Sequence, residues 1–546
     1  MRTPRSRILS DLLDEMAARH ARRPAIIADD RQVSFREWAR LSETVAAGLA
    51  RLGAARGDHV ALLATNSPEW LYVAFGILRL GAVVAAFSTW SRSWDLEYEL
   101  RHSEASILVL LDRFRNRDFL ADLKALVPEI ETAAPGGWRS ERFPRLRHVV
   151  VIGLSAPRGA MTLDQLIAVG ADAPPPPTAP GLGPSAGDTA YLLYTSGSTA
   201  RPKAVRLIHY SLIENGFNIG ERVGVRPQDR VWVPVPLFWS YGAANATMAS
   251  LTHGAAMVLQ ESFEAGRALD LIERSRCTVA YTLPNITLAL IEHPAFRPAR
   301  TASLRTGLTI GSPEDLRLAM KGLGASRMCS IYGATEVYGN CCVTPHTDEE
   351  ALRLTTQGPP LPGVTLKVAD PETGEALPPG EVGELWVKGY VTPGYFKPSE
   401  EDAAALTPDG FFRAGDLGLV GTDGRLRFRG RFKEMIKTGG INVSPQEVED
   451  FLNTHPAVRQ AAVVGVPHPA KGEIVAAFIR SVPGESPEAD ELQRWCKERI
   501  AGFKVPALIA FLEELPMTDT GKLFRRRLRE LGVELLARQQ QERRGV

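Results

Sequence analysis

The chain has 546 residues, 44% of them hydrophobic and 23% charged, so it is long enough for several domains of about 150 residues and apolar enough to bury a large core. With 64 Lys plus Arg against 63 Asp plus Glu, the formal net charge of +1 supplies no broad field for nucleic acid or an anionic membrane. A disordered or fibrous protein is excluded, and a polyanionic partner is not indicated.

The first residues, MRTPRSRILSDLLDEMAARHARRP, are basic and then amphipathic, with no uninterrupted apolar run or small-residue cleavage site. They predict a first surface helix. The longest apolar stretches, such as Ala82 to Phe87, fall far short of the ~18 residues a membrane span needs. The five cysteines, Cys277, Cys329, Cys341, Cys342 and Cys496, have no C-x-x-C or Cys/His ligand spacing, which fits a reduced, cytoplasmic setting. Cys341 and Cys342 read as two buried, inert thiols on a strand.

From about Pro24 to Asp112, helical patterns (WARLSETVAAGLARLG, EWLYVAFGILRLG) alternate with short apolar runs (HVALLAT, AVVAAF, SILVLLD), the mark of βαβ units. Residues Ala173 to Gly187, rich in Pro and Gly, predict a connector between two lobes. A strand at Ala190 to Tyr194 then leads into a loop, a second strand at Ala204 to Ile208 and a helix from about Ser211. Further strands are expected near Val231 to Val235, Ala256 to Gln260, Thr278 to Thr282 and Arg305 to Ile310. From about Gly363 short strands and turns predominate, including EVGELWVKG and GRLRFRG. A more charged segment begins near Phe432, with a helix at Gln446 to Asn453 and strands at Val458 to Val464 and Val475 to Arg480. The expected architecture is α/β: a large N-terminal domain (1–431) of two α/β lobes (about 1–172 and 187–362) plus a small β-rich lobe (363–431), and a mobile small α+β C-terminal domain (432–546).

The loop Thr195-Ser196-Gly197-Ser198-Thr199-Ala200-Arg201-Pro202-Lys203 gathers hydroxyls, a flexible Gly and a Lys, donors that suit polyphosphate oxygens. Its spacing is not Walker A, and a strand rather than a helix follows. By composition alone it could equally be a polar surface loop. Four further motifs follow in order: Tyr332-Gly333-Ala334-Thr335-Glu336; Phe411-Phe412-Arg413-Ala414-Gly415-Asp416-Leu417; Gly430 to Gly440, with Glu434 where Asp is usual; and Pro516 with Gly521, Lys522 and Arg525. In these five motifs the chain resembles the adenylate-forming superfamily of acyl-CoA synthetases, peptide-synthetase adenylation domains and beetle luciferases.

That resemblance implies a set of roles. Thr195, Ser196, Gly197, Ser198, Thr199 and Lys203 are to hold the β- and γ-phosphates of ATP, and Glu336 with Thr195 is to hold Mg²⁺, beside Thr335 of the same catalytic motif. Tyr332 and Gly333, with Gly311-Ser312-Pro313 opposite, are to enclose adenine, while Asp416 and Arg431 bind the ribose. Lys522 is to neutralise charge gathering at the α-phosphorus. Lys433 stands at the hinge of a C-terminal domain that swings after adenylation, bringing Gly439-Gly440 beside the pantetheine of coenzyme A.

Trp239, Tyr241, Asn245, Tyr338 and Gly339 are the candidates for the acyl pocket, whose aromatic walls favour a flat or compact acid. Three departures from the family pattern stand out. Ala200 and Ala204 occupy usual Gly places, where a left-handed backbone costs Ala about 1–2 kcal/mol; Trp239 stands where His is frequent; and Ser88-Thr89-Trp90 replaces a usual Asn-Pro. The leading expectation is an acid:CoA ligase with a free thiol acceptor. The alternatives are a stand-alone adenylating enzyme serving a carrier protein or an amine, a silent binding protein and an oxygenase.

Overall fold

The structure is a computed structural model that describes residues 3–173, 183–195, 202–438, 441–468, 471–500, 502–518 and 522–544. Two eight-stranded sheets dominate it. One runs Cys342–Val343, Arg327–Tyr332, Thr306–Thr309, Val279–Tyr281, Arg230–Val233, Ala256–Leu259, Pro24–Ala28 and Arg31–Ser34. The other runs Tyr395–Phe396, Lys203–Ile208, Thr189–Thr195, Val83–Ala86, His59–Leu63, Ile107–Leu111, His148–Ile152 and Met161–Thr162. The central strands of both are parallel and buried, as their near-continuous Val, Ile, Leu and Ala runs require.

Local chemistry explains the helices between them. The helix Pro68–Arg79 opens with Ser67, whose side chain accepts from the Trp70 amide, and with Pro68 at its first position. Apolar on almost every side, it is buried from Trp70 to Leu78 and lays the Trp70 indole parallel to Tyr191 at 6.3 Å. The helix Phe35–Arg51, capped by Ser34, turns Phe35, Trp38, Val45 and Leu49 inward, and Trp38 meets Phe75 edge-on at 4.7 Å.

The two large sheets do not follow the linear division into lobes at about 172 and 187. Strands Pro24–Ala28 and Arg31–Ser34 join the sheet built mainly from later residues, and Thr189–Thr195 and Lys203–Ile208 join the sheet of the earlier ones. The cause is pairing: Ile26 to Ala28 lie parallel to Met257 to Leu259, and Tyr191 to Leu193 lie parallel to Val84 to Ala86. Residues 174–182 of the expected connector lie outside the described residues.

The β-rich lobe is a four-stranded antiparallel sheet of Thr365–Ala369, Gly383–Lys388, Phe412–Val420 and Leu426–Arg431. The C-terminal part pairs Val458–His468 with Gly472–Ser481 and adds Leu508–Phe511 in parallel, under the helices Pro445–Leu452, Ala489–Lys497 and Arg525–Arg544. The first helix is Leu9–His20, as its amphipathic pattern predicts. Cys341 and Cys342 are buried, the second on a short strand, and the neighbouring thiol together with burial pushes Cys341 well above the usual thiol range. Among the described residues no helix is long and apolar enough to cross a membrane.

Candidate active site

Strands Thr189–Thr195 and Lys203–Ile208 are antiparallel neighbours, and the register sets Thr195 opposite Lys203 at the base of the hydroxyl-rich loop. Ser196, Gly197, Ser198 and Thr199 lie outside the described residues, as does Ala200. Ala204 is paired with Tyr194 on one side and Phe396 on the other, in extended strand, so it carries no left-handed strain. The loop's far end is held by Tyr98, which donates its hydroxyl to the Pro202 carbonyl at 2.9 Å.

The Lys203 ammonium pairs with Asp402 and lies 5.7 Å from the centre of the Tyr395 ring. Tyr395 in turn donates its hydroxyl to Glu336 Oε1 at 2.8 Å. Thus the lysine of the loop and the acid of the Tyr-Gly-x-Thr-Glu motif meet on one tyrosine, on a strand to which the sequence analysis assigns no role. Thr335 donates to Ser240 Oγ at 3.0 Å, joining that motif to the Trp239 segment.

Gly333 is dictated by packing: a Cβ there would stand 2.1 Å from the Gly339 carbonyl oxygen. Gly311 has φ +122°, closed to other residues, and Ser312 caps the helix Pro313–Gly322 in a capping box with Asp315. Tyr332 ends a buried strand with its ring stacked on Phe428 at 5.5 Å and its hydroxyl donated to Asp416 Oδ2 at 2.8 Å. Asp416 is the strand partner of Arg431, whose Nε lies 3.5 Å from Oδ1. Burial raises the Asp416 carboxyl above its ordinary value, against the lowering pull of Arg431 and the Tyr332 hydrogen bond.

Lys522 comes from the C-terminal part, on a turn in which the Thr518 amide donates to its carbonyl at 2.7 Å. Its side chain keeps contact with solvent, yet the surrounding protein strips enough water to lower the ammonium's pKa. Arg431 adds to that lowering, while Glu336, Asp416 and Glu434 oppose it. One cation from the end of the chain therefore sits in the field of both motif carboxylates. Arg525 anchors the turn by donating to Glu449 Oε1 and the Val463 carbonyl, each at 2.6 Å, and its Nε lies 3.1 Å from Glu434. Lys433 falls in the short helical turn Phe432–Glu434; Gly439 and Gly440 lie outside the described residues.

The acyl-pocket candidates divide. Tyr241 and Asn245 ride on a π-helical segment, Tyr241–Thr247, a form that recurs at functional sites. Tyr241 donates to the Leu308 carbonyl at 2.9 Å, and Tyr281 donates to Asn245 Oδ1 at 3.0 Å. Trp239 is met edge-on by Trp90 at 4.8 Å, and Trp90 also meets Phe238 at 5.5 Å. The unusual Ser88-Thr89-Trp90 thereby gains a structural account, as the other half of an aromatic cluster. Tyr338 departs from its expected place as a pocket wall. It is fully buried at φ +59°, and its hydroxyl accepts the Ile208 amide at 3.1 Å, so its ring is committed to the core and Gly339 is left facing Asn245. Sequence reasoning missed Tyr395, Asp402, Tyr281 and Ser240, which have no motif of their own.

Among the described residues no group of three His, Cys, Asp or Glu forms a metal centre. Glu336 is a single carboxylate with one oxygen bonded to the Tyr395 hydroxyl, a hard oxygen donor of the kind that suits Mg²⁺.

Comparison with known proteins agrees with this arrangement. The AMP-binding enzyme family model matches residues 13–396, and the AMP-binding enzyme C-terminal domain matches residues 447–522. YngI of Bacillus subtilis (strain 168), a protein named as an acyl-CoA synthetase, is 34% identical over 533 residues, covering 96% of this chain and 97% of its own. The mitochondrial medium-chain acyl-CoA ligase ACSF2 of Danio rerio is 32% identical over 520 residues, covering 92% of this chain and 84% of its own. The crystal structure of the anthranilate CoA ligase AuaEII in complex with anthranoyl-AMP superposes with a TM-score of 0.84 at 28% identity, covering 97% of each chain. The chain belongs to the AMP-binding family of adenylate-forming acyl-CoA synthetases.

Proposed function

We propose that the protein activates a carboxylic acid with ATP and transfers the acyl group to coenzyme A. The observation that supports this reading is the set of contacts joining the motifs, in which Tyr332 donates to Asp416 beside Arg431 and Tyr395 links Glu336 to Lys203, groups distant in sequence that a bound nucleotide would need at once.

In the first half-reaction a carboxylate oxygen of the acid attacks the α-phosphorus of ATP and pyrophosphate leaves. Lys203, with Thr195 and the hydroxyls of Ser196, Ser198 and Thr199 around Gly197, holds the β- and γ-phosphates. Asp416 and Arg431 hold the ribose. Tyr332 and Gly333 form one side of the adenine slot and Gly311, Ser312 and Pro313 the other. The stacking of Tyr332 on Phe428 supports a rigid wall there. Mg²⁺, when bound by Glu336 and Thr195, neutralises phosphate charge. Lys522 supplies a positive charge where the pentacoordinate phosphorus becomes more negative, and Thr335 steadies its motif through Ser240.

In the second half-reaction the thiol of coenzyme A loses its proton, its sulfur attacks the acyl carbonyl carbon, and AMP leaves. We place the boundary of the moving domain at 431/432, with Lys433 as hinge and Gly439 and Gly440 beside the pantetheine. A small-molecule acid and coenzyme A are then the partners, in a cytoplasmic setting.

The test is acid-dependent AMP formation across aromatic, alicyclic and aliphatic acids, with and without coenzyme A. Acyl-CoA and AMP appearing together, and lost in Lys522→Ala, supports the reading. An adenylate that coenzyme A never accepts assigns the thiol or amine acceptor elsewhere.

A further inference from the structure

The ammonium at the end of the hydroxyl-rich loop already has a partner. Lys203 forms an ion pair with Asp402, and the two side chains are only 17% and 8% exposed. Asp402 belongs to the short helix Glu400–Ala404, where its Oδ2 accepts the Ser399 amide at 3.1 Å and its own amide donates to Ser399 Oγ at 3.2 Å. This capping box fixes the carboxylate to its own element. Its Oδ1 is buried and has no partner among the described residues besides the Lys203 ammonium. Burial raises the carboxyl pKa, but Lys203 and the Ser399 donors outweigh it and hold the group below its ordinary value, so the acid is ionised.

This arrangement sets two anions in competition for one cation. A polyphosphate that draws the ammonium towards itself leaves Asp402 Oδ1 buried without a counter-charge, and a buried pair is costly to break from one side. Asp402 cannot follow, because Ser399 holds its other oxygen. Lys203 can move: its backbone stays paired with Thr195 in the strand while its four-carbon stem swings the ammonium. Each phosphate contact that Lys203 makes is therefore weakened by the contact it gives up.

We propose that Asp402 is the positioning residue of Lys203: it holds the ammonium before ATP binds, yields it to the β- and γ-phosphates, and takes it back as pyrophosphate leaves. This rests on reading Lys203 as a ligand of those phosphates. The pair tempers the affinity of the site for polyphosphate, so that pyrophosphate, once cleaved from the nucleotide, is released rather than retained.

The experiment is calorimetric titration with Mg²⁺-ATP, Mg²⁺-pyrophosphate and AMP, without any acid, of the wild type, Asp402→Asn, Lys203→Ala and the double variant. In Asp402→Asn the Kd for ATP and for pyrophosphate should fall about five-fold or more, while that for AMP, which lacks the β- and γ-phosphates, stays the same. A merely structural lesion would weaken binding and would not spare AMP. In the Lys203→Ala background the substitution at Asp402 should gain nothing, which shows that it acts through the lysine. Asp402→Ser, which keeps a side-chain oxygen for the Ser399 amide, gives the same comparison if Asp402→Asn does not fold. If Lys203→Ala weakens ATP but neither Asp402 variant tightens it, the inference is overturned and the phosphate reading of Lys203 stands. If Lys203→Ala leaves ATP binding unchanged, both are overturned.

Discussion

Tyr395 donates its hydroxyl to Glu336 at 2.8 Å while its ring lies 5.7 Å beneath the Lys203 ammonium, so one side chain from a two-residue strand steadies both the acid and the cation of the site. Burial, and next the charge of Glu336, hold the phenol protonated by raising its pKa, which keeps it a donor. A hydrogen bond to a charged acceptor contributes about 1.5–3 kcal/mol. Tyr395→Phe should therefore lower kcat/KM for ATP by about ten-fold, with a larger Mg²⁺ requirement in a titration of exchange rate against metal. An unchanged Mg²⁺ dependence would show that Glu336 needs no such support.

Lys522→Ala should lower adenylation by about 10²–10³-fold, as loss of one donor to a developing charge does elsewhere, while leaving turnover of preformed acyl adenylate with coenzyme A much less affected. The ammonium's pKa is lowered from 10.5 by lost hydration first and Arg431 second. The charged form is the active one, so activity is full below that depressed pKa and is lost as pH rises through it. The alkaline limb of kcat/KM for ATP, which reports the free enzyme, should have a midpoint below 10.5 and should disappear in the Ala variant.

Asp416 has its folded pKa raised above 3.8, chiefly by burial, so its ionised form costs stability and that cost grows as pH climbs from 3.8 through the folded value. Asp416→Asn keeps an oxygen for the Tyr332 hydroxyl and removes the charge. Thermal melting at neutral pH should be unchanged or slightly raised, whereas KM for ATP should rise about ten-fold or more through loss of the acceptor we propose for the ribose. A marked fall in melting temperature would mean that the pair with Arg431 outweighs burial.

Glu99 is 2% exposed, with Ser91 donating to one oxygen at 3.1 Å and no partner for the other. Burial pushes its pKa up to about 8. A raised carboxylate favours its neutral form, so the native state loses stability as pH rises from the ordinary value towards 8. Glu99→Gln should melt roughly 2 °C above wild type at pH 9 and show little or no advantage at pH 5, measured by calorimetry at both values.

Trp90→Ala removes the edge-on partner of Trp239 and frees space beside the indole that we propose as a wall of the acyl pocket. An aromatic pair contributes about 0.5–1.5 kcal/mol beyond buried area. The ratio of kcat/KM for a bulky acid over a compact one should rise about five-fold in competition assays. A ratio that stays put would remove Trp90 from the determinants of selectivity.

Much of this protein is legible in one dimension. The βαβ alternation, the β-rich lobe and the motif order all rest on short-range periodicity and on residue types that one chemistry demands at one place, and the strands Val458–His468 and Gly472–Ser481 contain the stretches their β-branched runs predict. The ends of elements and the linear lobes are less legible, because sheet membership depends on which distant strand offers a matching edge. Pro24–Ala28 pairs with Ala256–Leu259, more than two hundred residues away, and no local pattern encodes that choice.

The candidate site divides along the same line. Thr195, Lys203, Glu336, Asp416 and Lys522 are visible in sequence because nucleotide chemistry ties specific side chains to specific backbone settings. Tyr395, Asp402 and Tyr281 are not, and Trp90 is visible only as an unexplained departure, since each acts through a neighbour that only the folded chain brings within reach. Tyr338 shows the converse: its neighbourhood in sequence suggests a pocket wall, but a positive φ turns the ring towards Ile208 and into the core. The sequence by itself determined the family, the fold class and the order of the motifs; tertiary structure alone decided which buried groups are paired, because hydrogen-bond satisfaction depends on atoms far apart in the chain.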